Sequence, residues 1–173
     1  MLMTGNNVFE KSDKKVENSK NLVIKIIFIV VLVGFLFAVY QRADSKDIPV
    51  SAIDKQLRSK TNIEKMELCG TRDVAQFIGI QPESEDSYIY YKSREALGVE
   101  EILIIKSENA DFLSDVVEAV EKRVDSQMKA YEGYGPEQVK MLDNAIIIKK
   151  GLYVFYSVGD DSEKYMEVFK DAV

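Results

Sequence analysis

The stretch from Leu22 to Tyr40, LVIKIIFIVVLVGFLFAVY, constrains this chain more than any other. It carries a single charge, Lys25. As an α-helix such a run reaches about 28 Å, against a hydrocarbon core of roughly 30 Å. It is apolar all round, whereas a helix at a protein surface needs one polar face. Lys25 lies a turn from the start, where its stem can carry the ammonium to the interface. Tyr40 suits the opposite interface. The run therefore predicts one transmembrane helix. Its exit, Phe37-Ala38-Val39-Tyr40-Gln41-Arg42-Ala43, has no clean pair of small residues for cleavage, and the run exceeds a usual signal core, so a retained signal anchor is expected.

Charge then sets the direction of insertion. Lys11, Lys14, Lys15, Lys20 and Lys25 precede or open the span, while Arg42 and Lys46 follow it beside Asp44 and Asp47. Positive residues stay inside, which places the N-terminus in the cytoplasm and the C-terminal domain outside it. Of the 23 basic and 29 acidic residues of the chain, 18 and 26 lie beyond Tyr40. The outer part is thus acidic and repelled by phosphate backbones, so no nucleic-acid partner is expected. The chain has no His, which removes the commonest general base and the commonest metal ligand. One cysteine, Cys69, allows no intramolecular disulfide and reads as a small buried hydrophobe.

Four segments follow from pattern and composition: a polar cytoplasmic tail over 1–21, the span over 22–40, a charged linker over 41–47 and a folded domain over 48–173. Within the domain, Pro49–Ser59 has helical spacing, with Val50, Ile53 and Leu57 inward. Thr71 opens a short helix that carries Val74 and Phe77. Tyr88-Ile89-Tyr90-Tyr91 and Glu101–Lys106 read as strands. Asn109 is placed to cap a long helix with Leu113, Val116, Val120 and Val124 on one face, ended by Gly133. Pro136–Leu142 is a further helical stretch. Ala145–Lys149 and Leu152–Val158 form a hairpin about Lys150-Gly151. A last helix, capped by Asp160 or Asp161, carries Tyr165, Met166 and Phe169. The predicted fold is α+β: a four-stranded antiparallel sheet, made of two hairpins separated by a long helix, with helices mainly on one face, plus the N-terminal transmembrane helix.

Tyr134-Gly135-Pro136-Glu137-Gln138, then Leu142, Asn144 and Ala145, then Gly151-Leu152-Tyr153-Val154, together with the strand Glu100–Lys106, resemble the bacterial family called domain of unknown function 4358. The resemblance extends over about 48–173. It implies a small protein of Firmicutes held at the membrane by an anchor or a lipoprotein signal. It implies no activity and no catalytic residue, because none is established for the family. The lipoprotein cysteine of many members is missing here, since Cys69 lies far beyond the span.

The most site-like stretch is the Gly- and Pro-shaped loop from Tyr131 to Gln138, where Tyr131, Tyr134, Glu137 and Gln138 could line a binding surface. Helix termination by Gly133 and helix initiation by Pro136 explain the same residues without a ligand. Asp143 and Asn144 pair a carboxylate with an amide before a strand, which suits a polar ligand or a turn. The chain has no phosphate-cradling Gly loop, no metal-ligand spacing and no nucleophile elbow, so neither catalytic residues nor a cofactor are expected. The expected function is that of a membrane-tethered binding or interaction domain at the outer face of the cytoplasmic membrane, with the membrane and another envelope protein as partners. Two alternatives stay open. One is an envelope hydrolase or transferase working through carboxylates. The other is an accessory subunit of a larger membrane enzyme, packing through Gly34 and Ala38.

Overall fold

A computed structural model describes residues 24–36 and 46–173. The predicted tail, both ends of the predicted span (22–23 and 37–40) and linker residues 41–45 lie outside the described residues. The chain divides into two units, Met1–Gln41 and Arg42–Val173. In the first, 24–36 is helical, and every large apolar side chain from Ile24 to Leu36 is exposed. Among the described residues no helix is long and apolar enough to cross a membrane.

The second unit is built on a sheet of five strands: β1 (Glu67–Leu68), β2 (Tyr88–Lys92), β3 (Glu101–Lys106), β4 (Ile146–Lys150) and β5 (Tyr153–Val158). Their order across the sheet is β1-β2-β3-β5-β4, and every neighbouring pair is antiparallel. The two expected hairpins, β2–β3 and β4–β5, lie side by side, joined through β3 and β5. The fifth strand corrects the expected four. Glu67 pairs with Lys92 and Leu68 with Tyr91. Two residues are too few to display a strand period, so β1 leaves no trace in the sequence pattern.

Helices cover both faces, which corrects the expectation of one. On one face α1 (Val50–Lys60) and α5 (Ser162–Ala172) pack Val50, Ile53, Leu57, Tyr165, Val168 and Phe169 against Ile89, Tyr91, Ile102, Ile104, Tyr153 and Phe155. On the other lie α2 (Thr71–Asp73, continued by a π-helical turn, Val74–Ile78), α3 (Ala110–Tyr131) and α4 (Pro136–Asp143). They bury Val74, Leu113, Val116, Val120, Val124 and Leu142 with Tyr90, Leu103, Ile105, Val154 and Tyr156. The cause is the composition of the central strands. Ile102 to Ile105 are all apolar, and all six residues of β5 are buried, so neither strand has a face fit for water. Each Ile, Leu or Val sealed this way contributes about 1.5–3 kcal/mol.

Local signals fix the helix ends. The Asn109 side chain accepts from the backbone N–H groups of Asp111 and Phe112, satisfying two donors that open α3. Gly133 follows α3 with φ of 90°, the left-handed conformation that favours glycine. Pro136 is the first residue of α4. Asp161 occupies the N-cap of α5, but its side chain makes no capping bond. The entry to the domain is pinned by Tyr153 of β5, whose hydroxyl accepts from Ile48 N–H at 2.8 Å and donates to the Ile48 carbonyl.

Candidate functional site

Two features of this unit call for a function: a groove at one rim of the sheet and a polar cluster inside it. The groove follows from where the sheet ends. One edge is β1, only two residues long, with both residues exposed. The other edge is β4, a full five-residue strand whose outer side pairs with no strand among the described residues. Ile146, Ile147 and Ile148 remain only partly buried, in contrast to the sealed β5 beside them. A long apolar edge is normally guarded by charges projecting past it. Here the two lysines of β4 turn back onto their own chain. Lys149 Nζ donates to the Ala110 carbonyl at 3.0 Å and to Ser114 Oγ at 2.9 Å, and Lys150 Nζ donates to the Val173 carbonyl at 2.8 Å.

At the Ile146 end the edge lies on the floor of a groove of about 590 Å³. Glu137, Lys140, Met141 and Asn144 of the α4 segment form one wall, and Gly159, Asp160, Ser162 and Glu163 at the start of α5 form the other. Because α4 and α5 belong to opposite layers, the groove straddles the rim of the sheet. Three carboxylates, Glu137, Asp160 and Glu163, face one ammonium, Lys140. A smaller cleft of about 380 Å³ meets the groove at Gly159 and Asp160 and is lined by Asn62, Lys65, Arg94, Glu100 and Tyr165. Burial, with Asp161 and Glu100 adding to it, pushes the Tyr165 hydroxyl up to about 12.

Five of the six residues singled out in the sequence divide between two places, and Asp143 belongs to neither. Glu137 and Asn144 line the groove. The Asn144 side-chain amide donates to the Lys140 carbonyl at 2.8 Å, closing the end of α4. Tyr131, Tyr134 and Gln138 gather instead at the α3–α4 turn. The rings of Tyr131 and Tyr134 lie 5.4 Å apart, and the Tyr131 hydroxyl donates to the Leu97 carbonyl at 3.2 Å. A Cβ at Gly135 would come within 2.8 Å of the Tyr131 ring and 2.9 Å of Gln138 Oε1, so this turn admits no larger residue without a shift. Tyr134 is exposed, as is Asp143 at the end of α4. Seven groove residues escaped the sequence reading as binding candidates, among them Ile146, Gly159, Asp160 and Glu163. Their signal is a strand edge meeting a helix start, which exists only after the strands are ordered.

The polar cluster lies under α3. Glu101 opens β3 on the same face as Leu103, and its side chain is 4% exposed. Its carboxylate accepts from Arg123 Nη2 at 2.6 Å and from the Tyr156 hydroxyl at 3.3 Å. Tyr90 and Tyr156 both pair across from Leu103, so they flank Glu101 diagonally from the strands on either side. Burial raises the Tyr156 hydroxyl well above the ordinary tyrosine range, and the Glu101 charge adds to it. Tyr90 is raised by the same two causes. For Arg123, burial pulls down and the Glu101 hydrogen bond pulls up, with a net upward result. The Tyr90 hydroxyl and Gln127 Oε1 are buried without a partner among the described residues. Cys69 is also buried, and desolvation followed by the Asp73 charge pushes its thiol up to about 11, away from the thiolate. Among the described residues no group of three acidic or sulfur ligands could hold a metal ion.

The model of one protein family, described as a domain of unknown function (DUF4358), matches residues 59–159, more than half of the chain. The matched stretch spans the whole sheet, α2, α3 and α4, but almost none of the layer formed by α1 and α5. No curated protein and no solved structure matches the chain.

Proposed function

The chain belongs to the DUF4358 family, and from that premise we propose that it is a membrane-tethered binding domain of the bacterial cell envelope, which takes a polypeptide partner at the groove beside β4. The observation that carries the tether is the helix over 24–36. Its large apolar side chains are 45% to 69% exposed, and only a lipid or protein environment removes that cost. The binding role draws on the groove, where a half-covered strand edge, a carboxylate-rich wall and an exposed amide lie together. Backbone groups of an edge strand give affinity to any extended segment, and the flanking side chains select among segments. In this reading the N-terminus stays in the cytoplasm and the sheet domain works outside it. The helix also holds Gly34, with nothing within 4 Å of where a Cβ would stand; Ala38, its counterpart in a helix-packing pair, lies outside the described residues.

The test uses the full-length chain in its native membrane. The protein should stay in the membrane through alkaline carbonate extraction, and protease added to intact protoplasts should digest the C-terminal domain. Protection of that domain until lysis would overturn the orientation, and release by carbonate would overturn the tether. A photo-crosslinking residue at Asn144 should give a discrete adduct that the same residue at Asp125, on the exposed side of α3, does not.

A further inference from the structure

The charge pattern along β4 narrows the kind of strand that fits its edge. At the Ile146 end the groove presents Glu137, Asp160 and Glu163 against Lys140. At the other end stand Lys149 and Lys150. The strand is therefore flanked by acids at its start and carries two lysines at its finish, and a copy running the opposite way gives those ammonium groups, folded onto their own chain in a single copy, carboxylates to turn to at both ends. The register that uses all five residues is centred on Ile148. It sets Ile146 across from the partner's Lys150, and Ile147 across from the partner's Lys149. No lysine then faces a lysine, and each lysine stem lies over an isoleucine that one copy alone leaves half covered. Ile146 and Ile148 belong to the α1–α5 layer and Ile147 to the α3–α4 layer, so a two-fold axis normal to the sheet at Ile148 joins like layer to like layer. A parallel arrangement would instead stack Lys149 and Lys150 on their own copies.

We infer that the occupant of the β4 edge is a second copy of this chain, paired antiparallel about Ile148 so that the two sheets become one. The inference rests on the reading of this groove as a polypeptide-binding surface and names its partner. Tethering in one membrane favours the pairing, because confinement raises the effective concentration of one domain for the other. The short β1 edge, with Glu67 and Leu68 exposed, offers no comparable ladder and stays outside the interface.

Disulfide trapping of the full-length chain in membranes tests the register. In a Cys69→Ser background, Ile148→Cys places two thiols on the axis. Antiparallel neighbours there stand about 4.5–5.5 Å apart between Cα atoms, within the roughly 4.4–6.8 Å that a disulfide spans. Mild oxidation should convert most of the protein to a species of twice the chain mass, while Leu68→Cys on the other edge stays single. Should Ile148→Cys impair folding, chains carrying Ile146→Cys and chains carrying Lys150→Cys report the same register: mixed, they should link to each other and neither to itself. Equal linking through Leu68→Cys and Ile148→Cys would overturn the inference. So would an adduct of the Ile148→Cys chain with a polypeptide of different mass and no dimer, an outcome that leaves the binding role standing. Silence of the Ile148→Cys chain together with silence at the Asn144 crosslinker removes both.

Discussion

The Glu101 carboxylate of β3 meets the Arg123 guanidinium of α3 at 2.6 Å, with the carboxylate almost wholly withdrawn from solvent. The pair ties the middle of α3 to a central strand. Its worth lies in mutual satisfaction, since a buried charge stripped of its partner costs far more than the intact pair gains. Arg123→Met should therefore lower unfolding stability by about 3–5 kcal/mol. The double variant Glu101→Leu with Arg123→Met should recover most of that loss. Urea midpoints of the two variants and the native chain check the order, and a double variant weaker than the single one would show that the pair acts otherwise.

The tyrosines around this sheet make stability fall at alkaline pH. Burial raises Tyr90, Tyr91, Tyr156 and Tyr165 above their ordinary value, Tyr165 to about 12. A group whose folded value exceeds its unfolded value stabilises fully below the unfolded value, about 10 for tyrosine. That contribution is lost as pH climbs from there through the folded value. Unfolding free energy should thus be insensitive to these groups near neutrality and drop steadily above about pH 10. Tyrosinate absorbance followed with circular dichroism should show the buried rings ionising together with unfolding.

Cys69 should be a slow nucleophile. Its thiol stands near 11 rather than the reference 9.0. At pH 8 the thiolate population is then about a hundredfold below that of an unperturbed thiol. Labelling by a maleimide should be slower by at least that factor in the native chain than in urea, and fast native labelling would place the thiol in a different environment.

Removing one oxygen from Tyr153 should loosen the entry to the domain. Its hydroxyl serves both the N–H and the carbonyl of Ile48, and Tyr153→Phe leaves both groups to find water. A loss of about 1–3 kcal/mol is expected, with faster amide exchange at Ile48 while the α3 amides stay protected.

Much of this fold could be read without coordinates. Asn109, Gly133 and Pro136 marked the ends of α3 and α4 because caps act on their immediate neighbours. The hairpin around Gly151, with φ of 55°, is equally local. The two misreadings concern how elements combine. The run Ile102-Leu103-Ile104-Ile105 already says that both faces of β3 must be covered, yet hairpin counting alone suggests one covered face. β1 is too short to carry a pattern and exists only because β2 offers it an edge. The site divides in the same way. Glu137 and Asn144 stand near a conspicuous loop, whereas Asp160 and Glu163 reach the groove from another layer. Arg123 was hidden in plain view: it falls between Val120 and Val124 on the inward side of α3, where Glu101 neutralises it.

The hold of Tyr153 on Ile48 also has a mechanical side. A tug on the polypeptide upstream of residue 46 arrives at Ile48 before it reaches α1. There the load crosses to the hydroxyl of a side chain rooted in β5, one strand in from the rim, and from β5 it spreads to β3 and β4 as sliding between hydrogen-bonded neighbours. Strain from the N-terminal side is thus shared by the ladders of the sheet, and the first turn of α1 is spared from unwinding.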